Sequence, residues 1–185
     1  MSTKSIIILV SCVAGFIILL LINPFVIVSA GERGVVLTWG QVSDNIMGEG
    51  IHWRTPIAQS VKKLDVKIQK EEVGVEAASK DLQTVSSVIA LNYHLQAEKV
   101  NKLWQNIGNN YKARIIDPAI QEAMKAATAK YTAEELITKR SEVKESVKIL
   151  LSERLIKEFI IVDEVSIVNF DFSPSFNSAI EAKVT

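Results

Sequence analysis

Residues 89–108 read IALNYHLQAEKVNKLWQNIG, and the spacing of their apolar side chains changes half-way along. In the first half every second residue is apolar, which predicts a strand with one buried face. That face would carry Ile89, Leu91, Tyr93 and Leu95. Asn92 and His94 would lie on the opposite face, so we expect His94 to be a solvated strand residue. In the second half the spacing becomes three or four residues, which is typical of a helix that ends at Gly108.

Strand patterns fill the chain before this stretch. Residues 35–39 are mostly β-branched or aromatic and lie between two glycines, while residues 61–69 largely alternate between apolar and polar. Both patterns predict strands. The core side of the second strand would carry Leu64, Val66 and Ile68. Glycines and a proline make residues 48–56 a turn-rich segment, and Lys80 with Asp81 is the predicted loop before the next strand.

Helix signals dominate after residue 108. Asp117 and Pro118 predict a helix start, with Asp117 as the N-cap. Thr132 and Glu135 have the spacing of a capping box, which predicts a further helix to about Glu158. Its apolar side would carry Leu136, Val143, Val147, Leu150, Leu151 and Leu155. Residues 160–172 predict a last strand. Its apolar parity switches between Ile167 and Val168, which indicates a bulge or burial on both faces. This order of elements favours an α+β fold.

The N-terminal segment carries no charge between Lys4 and Glu32, a stretch of 27 residues. As a helix it would reach about 40 Å, and roughly 30 Å is enough to cross the hydrocarbon of a bilayer. We therefore predict a membrane anchor over residues 1–30. Its apolar positions include Ile6, Leu9, Phe16, Leu20, Ile22, Pro24 and Phe25. The alternative is a signal peptide cleaved before Gly31. The positive-inside rule weakly favours a domain on the exported, periplasmic or equivalent, side.

Composition excludes several function classes. The chain has 185 residues with 21 basic and 21 acidic side chains, so its formal net charge is zero, unlike that of most nucleic-acid-binding proteins. Cys12 is the one cysteine, which excludes an intramolecular disulfide. The sequence lacks the P-loop, zinc-protease and serine-hydrolase motifs. We therefore expect no enzymatic activity, no catalytic residue, no cofactor and no metal site.

Four segments, taken in order, resemble the SPFH or band-7 family and, within it, the prohibitin-like branch. They are GERGV at 31–35, GEGIHWRTP at 48–56, SKDLQTV at 79–85, and a C-terminal stretch with YTAEELITKR at 131–140 and FNSAIEAK at 176–183. Trp53 stands where the family more often has Phe, and Thr55 where a branched aliphatic residue is usual. The resemblance covers nearly the whole chain.

The resemblance implies an α+β SPFH domain at 31–173, with an antiparallel sheet in two subdomains packed with helices. The start of a C-terminal helix, whose coiled coil is cut off, would follow at 174–185. The resemblance also implies a non-enzymatic, membrane-anchored scaffold that forms large rings or cages with itself or a close paralogue. Such scaffolds organise membrane lipids and enclose partner membrane proteins, often an AAA-type membrane protease. Two alternatives stay open. One is a stomatin-like regulator that binds one channel or protease, and the other is an exported enzyme or ligand-binding domain with a cleaved leader.

Two groups of residues are candidates for contacts with the membrane or with neighbouring copies. The candidate membrane-proximal turn comprises Trp39, Gly48, Gly50, His52, Trp53 and Pro56. The candidate oligomer contacts are Lys139, Arg140 and Glu142, on the charged face of the predicted helix after Thr132. Both tryptophans follow closely on the anchor, and tryptophan is enriched at membrane–water interfaces. The alternative, which the strand patterns favour, is ordinary packing within the sheet.

Overall fold

The structure is a computed structural model that describes residues 23–172 together with Ser5, Ile7, residues 11–13 and Gly15. The six described residues before Asn23 are helical. Across the described residues, no helix is both long enough and apolar enough to cross a membrane. The anchor positions Ile6, Leu9, Phe16, Leu20 and Ile22 lie outside the described residues, as does the predicted helix after residue 173. The chain divides into an N-terminal unit, Met1–Asp65, and a C-terminal unit, Val66–Thr185.

The N-terminal unit contains two small antiparallel sheets. Its strands are β1 (Phe25–Val28), β2 (Glu32–Thr38), β3 (Gln41–Met47), β4 (Gly50–Trp53) and β5 (Gln59–Asp65). β1 pairs with β4, and the second sheet has the order β3-β2-β5. The predicted strand at 35–39 is therefore confirmed over residues 35–38, in the second half of β2, whereas Trp39 lies in the turn that follows. A small core of Val28, Val35, Val36 and Leu64 lies between these strands.

Gly34 marks the tightest packing of this unit. A Cβ atom built there would lie 2.9 Å from Val61 Cγ1, 3.1 Å from Met47 Cβ and 3.3 Å from Val28 Cγ2. Side chains from three neighbouring strands thus converge on one position of β2. Only glycine leaves room for them, which explains why a β-rich sequence carries it in mid-strand.

Two predictions about the N-terminal unit are corrected. Phe25, which we assigned to the anchor that ends at residue 30, begins strand β1 and pairs with Trp53. The alternation over residues 61–69 does not form one strand, because β5 ends at Asp65 and the next strand begins at Gln69. The apolar pattern therefore runs across a boundary between two sheets, and Ile68 is exposed, not part of a core.

The C-terminal unit is one antiparallel sheet covered on one face by helices. The strands β6 (Gln69–Ala78), β7 (Thr84–Leu95) and β8 (Ile160–Phe172) follow the order β6-β7-β8. The helices are α1 (Val100–Asn106), α2 (Asp117–Thr128), α3 (Ala133–Thr138) and α4 (Arg140–Leu155). α2 packs on β6, α4 packs on β8, and the two helices pack on each other. We did not predict β6.

The alternating run at residues 89–95 is confirmed as the buried face of β7. Ile89, Leu91, Tyr93 and Leu95 are all essentially inaccessible to solvent. The bulge predicted near residue 167 is confirmed as well, since Val88 pairs with Asn169 and Ile89 with Ile167, so that Val168 has no opposite residue. The alternation of apolar residues therefore predicted both the buried face of β7 and the bulge in β8.

One helix start is corrected. Asp117 is not an N-cap, because a π-helical turn over Lys112–Ile116 runs directly into α2, and the Asp117 N–H donates to the Lys112 carbonyl. Pro118 lacks an N–H and its ring crowds the preceding turn, which a widened turn accommodates.

The predicted helix from Thr132 to Glu158 is divided, which corrects a second prediction. Lys139 has non-helical φ and ψ angles of −108° and 31° between α3 and α4. Just before it, the Thr138 hydroxyl donates to the Glu134 carbonyl at 3.0 Å, a bond that bends helices. The capping box itself is confirmed: the Glu135 N–H donates to Thr132 Oγ1 at 3.2 Å, and the Thr132 N–H donates to Glu135 Oε2 at 3.0 Å.

Candidate membrane-contact surface

The two-stranded sheet of the N-terminal unit exposes an apolar face. In the β1–β4 register Phe25 lies opposite Trp53, and Ile27 lies opposite Ile51, so these four side chains share one face. Their side chains are between 54% and 71% exposed. The rings of Phe25 and Trp53 meet edge to face, with centroids 5.2 Å apart and planes at 88°. Contiguous apolar surface of this kind marks a contact site for a membrane or another molecule.

Two apolar side chains project from strained turns of the same unit. Trp39, at the tip of the β2–β3 hairpin, has φ 51° and is 77% exposed, while Ile57, after β4, has φ 70° and is 85% exposed. A positive φ is unfavourable for these residues, and most of all for β-branched isoleucine. Each such residue costs on the order of 1–3 kcal/mol, and strain of this kind is concentrated at functional sites.

Hydrogen bonds hold the two strained turns beside each other. The Trp39 N–H donates to the Ala58 carbonyl at 2.8 Å. The Ala58 N–H donates to the Pro56 carbonyl at 2.8 Å, and the Gln59 N–H donates to the Thr55 carbonyl at 2.9 Å. The turn that carries Ile57 is therefore closed on itself and is joined directly to the hairpin tip.

Arg54 connects these turns to the beginning of β1. Its backbone N–H donates to the Pro24 carbonyl at 2.8 Å, and its Nη2 donates to the Asn23 carbonyl at 3.3 Å. Its Nη1 donates to the Gln59 carbonyl at 3.2 Å. Arg54 thus joins three segments by hydrogen bonds: the residues just before β1, the end of β4 and the start of β5. We call the four apolar side chains around it, Phe25, Trp39, Trp53 and Ile57, the apolar end.

The opposite end of β4 is polar. Glu49 Oε1 accepts from Arg33 Nη1 at 3.0 Å and from the Gly31 N–H at 3.1 Å. The bond from the Gly31 N–H, followed by that from the Arg33 guanidinium, lowers the pKa of the Glu49 carboxyl. His52 Nε2 lies 2.8 Å from the Gly48 carbonyl oxygen. The turn around Gly48 is thus held by ionic and polar contacts.

The structure therefore divides the candidate membrane-proximal turn into two parts. Trp39, Trp53 and Pro56 lie at the apolar end, together with Phe25. Gly48 and Gly50 lie at the other end of β4. His52 belongs with them, because its Nε2 atom is hydrogen-bonded to the Gly48 backbone. Sequence reasoning missed Ile57 as a surface residue. Its signal was an apolar residue directly after Pro56 inside a turn, and turns lie at the surface.

The candidate oligomer contacts lie at the junction of α3 and α4. Lys139 Nζ bonds Glu135 Oε1 at 2.9 Å. Arg140 Nη2 donates to the Val168 and Ile167 carbonyls, and its guanidinium lies 5.7 Å from the centre of the Phe170 ring. Glu142 is exposed. Lys139 and Arg140 thus have partners inside the unit, and their contact with a neighbouring copy stays a prediction.

His94 has a partner that the sequence did not indicate. It lies on the outer face of β7, as predicted, and its Nδ1 is 2.9 Å from Asp163 Oδ2. Asp163 is the residue without an opposite position at a second bulge of β8, between the pairs Asn92–Glu164 and Tyr93–Val162. The bulge turns this carboxylate towards the histidine, a contact that no local pattern in the sequence announces.

A polar cluster lies under the sheet of the C-terminal unit. The hydroxyls of Tyr93 and Tyr111 each lie 3.4 Å from Gln69 Oε1, and Lys112 Nζ bonds Glu71 Oε2 at 3.0 Å. Asp117 Oδ1 is buried and has no hydrogen-bond partner within the described residues. Burial, with the nearby Glu71 carboxylate, raises the pKa of the Asp117 carboxyl. Across the residues that the structure describes, no group of three His, Cys, Asp or Glu side chains could hold a metal ion.

Comparison with known proteins agrees with this architecture. The sequence pattern of the SPFH domain / Band 7 family matches residues 26–185. The chain belongs to this family. The match begins inside β1, where the described fold begins.

Within the SPFH family, the curated proteins that are similar to this chain include prohibitins. The chain is 31% identical to prohibitin-7, mitochondrial, of Arabidopsis thaliana over 84% of this chain and 56% of that protein. It is 30% identical to prohibitin-2 of Gallus gallus (85% and 53%) and 32% identical to prohibitin 1 of Mus musculus (84% and 58%). This SPFH chain is therefore prohibitin-like, and it spans just over half the length of the curated relatives it matches.

Proposed function

We propose that this SPFH protein is a non-enzymatic membrane scaffold whose apolar end rests in the interface of the bilayer. The single observation that carries the proposal is the apolar end itself, whose four side chains lie around Arg54, the residue that bonds the carbonyls of Asn23 and Pro24 just before β1. Aromatic side chains are favoured at membrane–water interfaces. Exposed isoleucine and phenylalanine gain free energy when they leave water.

Strain in the turns supports this interpretation. Trp39 and Ile57 adopt positive φ angles that glycine or asparagine would adopt more easily, and their side chains have little contact with their own unit. A bilayer interface supplies the apolar environment that these side chains lack in water. The leader before β1, as a membrane anchor, would hold the apolar end at that depth.

The membrane contact is tested by the fluorescence of the three natural tryptophans, none of which lies in the leader. Chains with Trp39, Trp53 or Trp104 as the single tryptophan, made by Trp→Phe replacement, are placed in nanodiscs that contain brominated lipid. Bromine quenches only fluorophores at the membrane. We expect quenching of Trp39 and Trp53 but not of Trp104, which lies in α1 and serves as the matched control. Equal, weak quenching of all three would refute the contact.

We further propose that membrane-tethered copies associate side by side into large rings or cages with themselves or a close paralogue. Tethering in two dimensions raises the effective concentration of identical domains. The assembly would organise the surrounding lipids and enclose membrane proteins, with an AAA-type membrane protease as the partner class that the family resemblance implies. Lys139, Arg140 and Glu142 stay candidates for lateral contacts, and an exported domain stays the orientation proposed from Lys4.

Particle mass tests the assembly. The full chain is extracted in mild detergent and its mass distribution is measured by light scattering. A particle of many copies is the expected result. A monomer at all accessible concentrations would contradict a homo-oligomeric scaffold and leave the protein as a membrane-bound binder of one other protein.

A further inference from the structure

Arg54, the residue around which the apolar end lies, is a cation without a counter-ion. Its guanidinium bonds two backbone carbonyls, those of Asn23 and Gln59, and no carboxylate lies within salt-bridge distance of it among the described residues. By contrast, Arg33, beside the opposite end of β4, pairs with Glu49 at 3.0 Å. Carbonyl dipoles orient a guanidinium but do not cancel its charge, so the positive potential of Arg54 is left for a ligand or a surface outside the unit.

The guanidinium of Arg54 also has unused hydrogen-bonding capacity. An arginine side chain has five N–H donors, of which Arg54 uses one on Nη1 and one on Nη2. Nε is buried and has no hydrogen-bond partner within the described residues, and each Nη atom keeps a second N–H. The bond from Nη2 to the Asn23 carbonyl lies at the surface of the unit. The guanidinium is therefore within reach of a ligand that approaches from outside.

Most acidic side chains of the N-terminal unit lie away from the apolar end. Glu32 and Asp65 are opposite each other where the β2–β5 pair is furthest from the tip of the β2–β3 hairpin. At the rise of a strand, that is about 20 Å from the tip. Glu49 directly precedes β4, whereas Trp53 is the last residue of that strand. Charges in water are screened over about 8 Å at physiological ionic strength, so these three carboxylates do not offset Arg54.

One acid of this unit lies closer, and a lysine offsets it. Asp44 is the middle residue of β3 and Lys62 is the middle residue of β5, and these strands flank β2 on its two sides. Both charges are therefore about 10 Å along their strands from the apolar end. Within residues 23–65, Arg54 is the one charged side chain at the apolar end itself.

A phospholipid surface offers the charge that Arg54 lacks, at the depth of its neighbours. Tryptophan rings in a membrane interface lie at the level of the lipid head groups, and Arg54 directly follows Trp53 in the chain. A guanidinium binds phosphate oxygens through parallel N–H bonds, a geometry that lysine lacks. An anionic lipid leaves the charge of its phosphate uncompensated, whereas the choline of a zwitterionic lipid supplies a cation of its own.

We propose that Arg54 binds the head-group phosphate of an anionic phospholipid. The inference rests on the proposed membrane contact and adds the class of lipid that this contact prefers. The phosphate belongs to a lipid because the four side chains of the apolar end surround Arg54 with exposed apolar surface, which a hydrated ion does not cover. A free phosphate ion has the same binding chemistry, so a separate measurement distinguishes the two.

The test uses the full chain with Trp53 as its single tryptophan, in nanodiscs of phosphatidylcholine with phosphatidylglycerol as the minor lipid. Bromine is carried by the phosphatidylglycerol in one preparation and by the phosphatidylcholine in the other. Enrichment of the anionic lipid beside Arg54 should make its quenching of Trp53 about threefold larger than its share of the lipid predicts. Quenching in proportion to the two shares would overturn the proposal.

A pair of variants tests whether Arg54 is the cation responsible. Arg54→Gln removes the charge and should remove the excess quenching by phosphatidylglycerol. The matched control, Lys63→Gln, removes a cation of the same unit that lies in β5 towards Asp65, and should keep the excess. An excess that persisted in Arg54→Gln would assign it to another cation and overturn the role of Arg54.

Two changes of solution test the site without a substitution, since Arg54→Gln also removes two bonds to backbone carbonyls. Salt at about 1 M shortens the screening length to about 3 Å and should abolish most of the excess, while quenching by brominated phosphatidylcholine persists. An excess that salt left unchanged would overturn an ionic contact. Inorganic phosphate, added at constant ionic strength, should have no effect. Loss of the excess on adding phosphate would show that the site takes the free ion, and would overturn a lipid as its ligand.

The outcomes separate this inference from the proposed membrane contact. If both lipids quench Trp53 in proportion to their shares, the lipid preference is refuted and the contact stands. If neither lipid quenches Trp53, both proposals are refuted.

Discussion

The two units of this chain use apolar residues in opposite ways. The C-terminal unit covers one face of its sheet with α2 and α4, and its large apolar side chains, such as Leu91 and Leu151, are fully buried. In the N-terminal unit the described residues from 23 onward form strands and turns, and its largest apolar side chains are exposed. Buried surface stabilises a fold, whereas exposed apolar surface is available to a membrane or a partner. The largest apolar side chains of the C-terminal unit therefore mainly stabilise its fold, whereas those of the N-terminal unit mainly form exposed surface.

The largest effect that tests this contrast is the truncation of a core leucine. Leu151→Ala leaves a cavity under the sheet of the C-terminal unit and should lower the free energy of unfolding by about 3 kcal/mol. Ile51→Ala, on the exposed face of the N-terminal unit, should change it by less than about 0.5 kcal/mol. Urea unfolding of both variants followed by circular dichroism gives the two values. A similar cost at both sites would abolish the distinction between the units.

Gly34 tests whether the N-terminal unit has a tightly packed point of its own. Gly34→Ala would force a methyl group against Val61 and Met47, and we expect a loss of about 1–3 kcal/mol. The matched control is Gly74→Ala in β6, where a Cβ meets nothing within 4 Å. Thermal unfolding should show a lower midpoint for the first variant and an unchanged or higher one for the second. Equal midpoints would mean that β2 can move away from its neighbours without loss.

A smaller effect concerns the break between α3 and α4 in the C-terminal unit. Thr132→Ala removes the capping bond to the Glu135 N–H and should cost about 1 kcal/mol. Thr138→Ala removes a hydroxyl that only back-bonds to the Glu134 carbonyl, and should be neutral or stabilising. Denaturant midpoints compare the two. If Thr138→Ala proved the more damaging, the break at Lys139 would be a stabilising feature of the unit.

The smallest effect concerns Asp117 and depends on pH. Its Oδ1 atom is buried under the sheet and has no hydrogen-bond partner within the described residues. The pKa of Asp117 is raised in the folded state, so the folded chain holds its proton more tightly than the unfolded chain does. Its contribution to stability is present at pH values below the ordinary aspartate pKa of about 3.9 and is lost as the pH rises through the folded-state pKa. Asp117→Asn should therefore stabilise the chain at pH 7, by about 0.5 kcal/mol or less.

The measurement for Asp117 is a pair of unfolding curves at pH 7 and at pH 3. The gain from Asp117→Asn should vanish at the lower pH, where the wild-type carboxyl is protonated. The control Asp171→Asn changes an exposed carboxylate and should show no such gain. A gain that persisted at pH 3 would show that the charge of Asp117 is not its cause.

Periodicity predicted the elements that pack against a continuous core. The buried face of β7, the bulge near Ile167 and the capping box at Thr132 each follow from residues within a few positions of one another, and the structure confirms them. The errors arose where a pattern crossed a boundary. Ile68 extends the apolar alternation of β5 beyond the end of that strand, towards a strand of a different sheet. Asp117 and Pro118 have the pattern of a helix start, but the π-helical turn before them is already helical.

The candidate site was predictable only in part, for a physical reason. Trp39 and Trp53 could be named as interfacial aromatics from their type and their distance along the chain from the leader. Their association with Ile57 depends on Arg54, which joins three segments by bonds to backbone carbonyls. Every residue has a backbone carbonyl, so the sequence does not indicate which carbonyls an arginine will bind. Likewise, the positive φ at Ile57 is decided by the turn that surrounds it.

The position of β8 has a consequence for how the C-terminal unit is built. β6 and β7 form a local hairpin, but β8 pairs Ile160 with Leu95 and Phe172 with Val85, across all of the intervening helices. Pairings between such distant residues form slowly, and the chain is synthesised from its N-terminus. β7 would therefore wait on the ribosome with one edge open until its last partner emerges. During that interval the open edge is a template for the wrong strand, so the timing of synthesis bears on the yield of correctly folded protein.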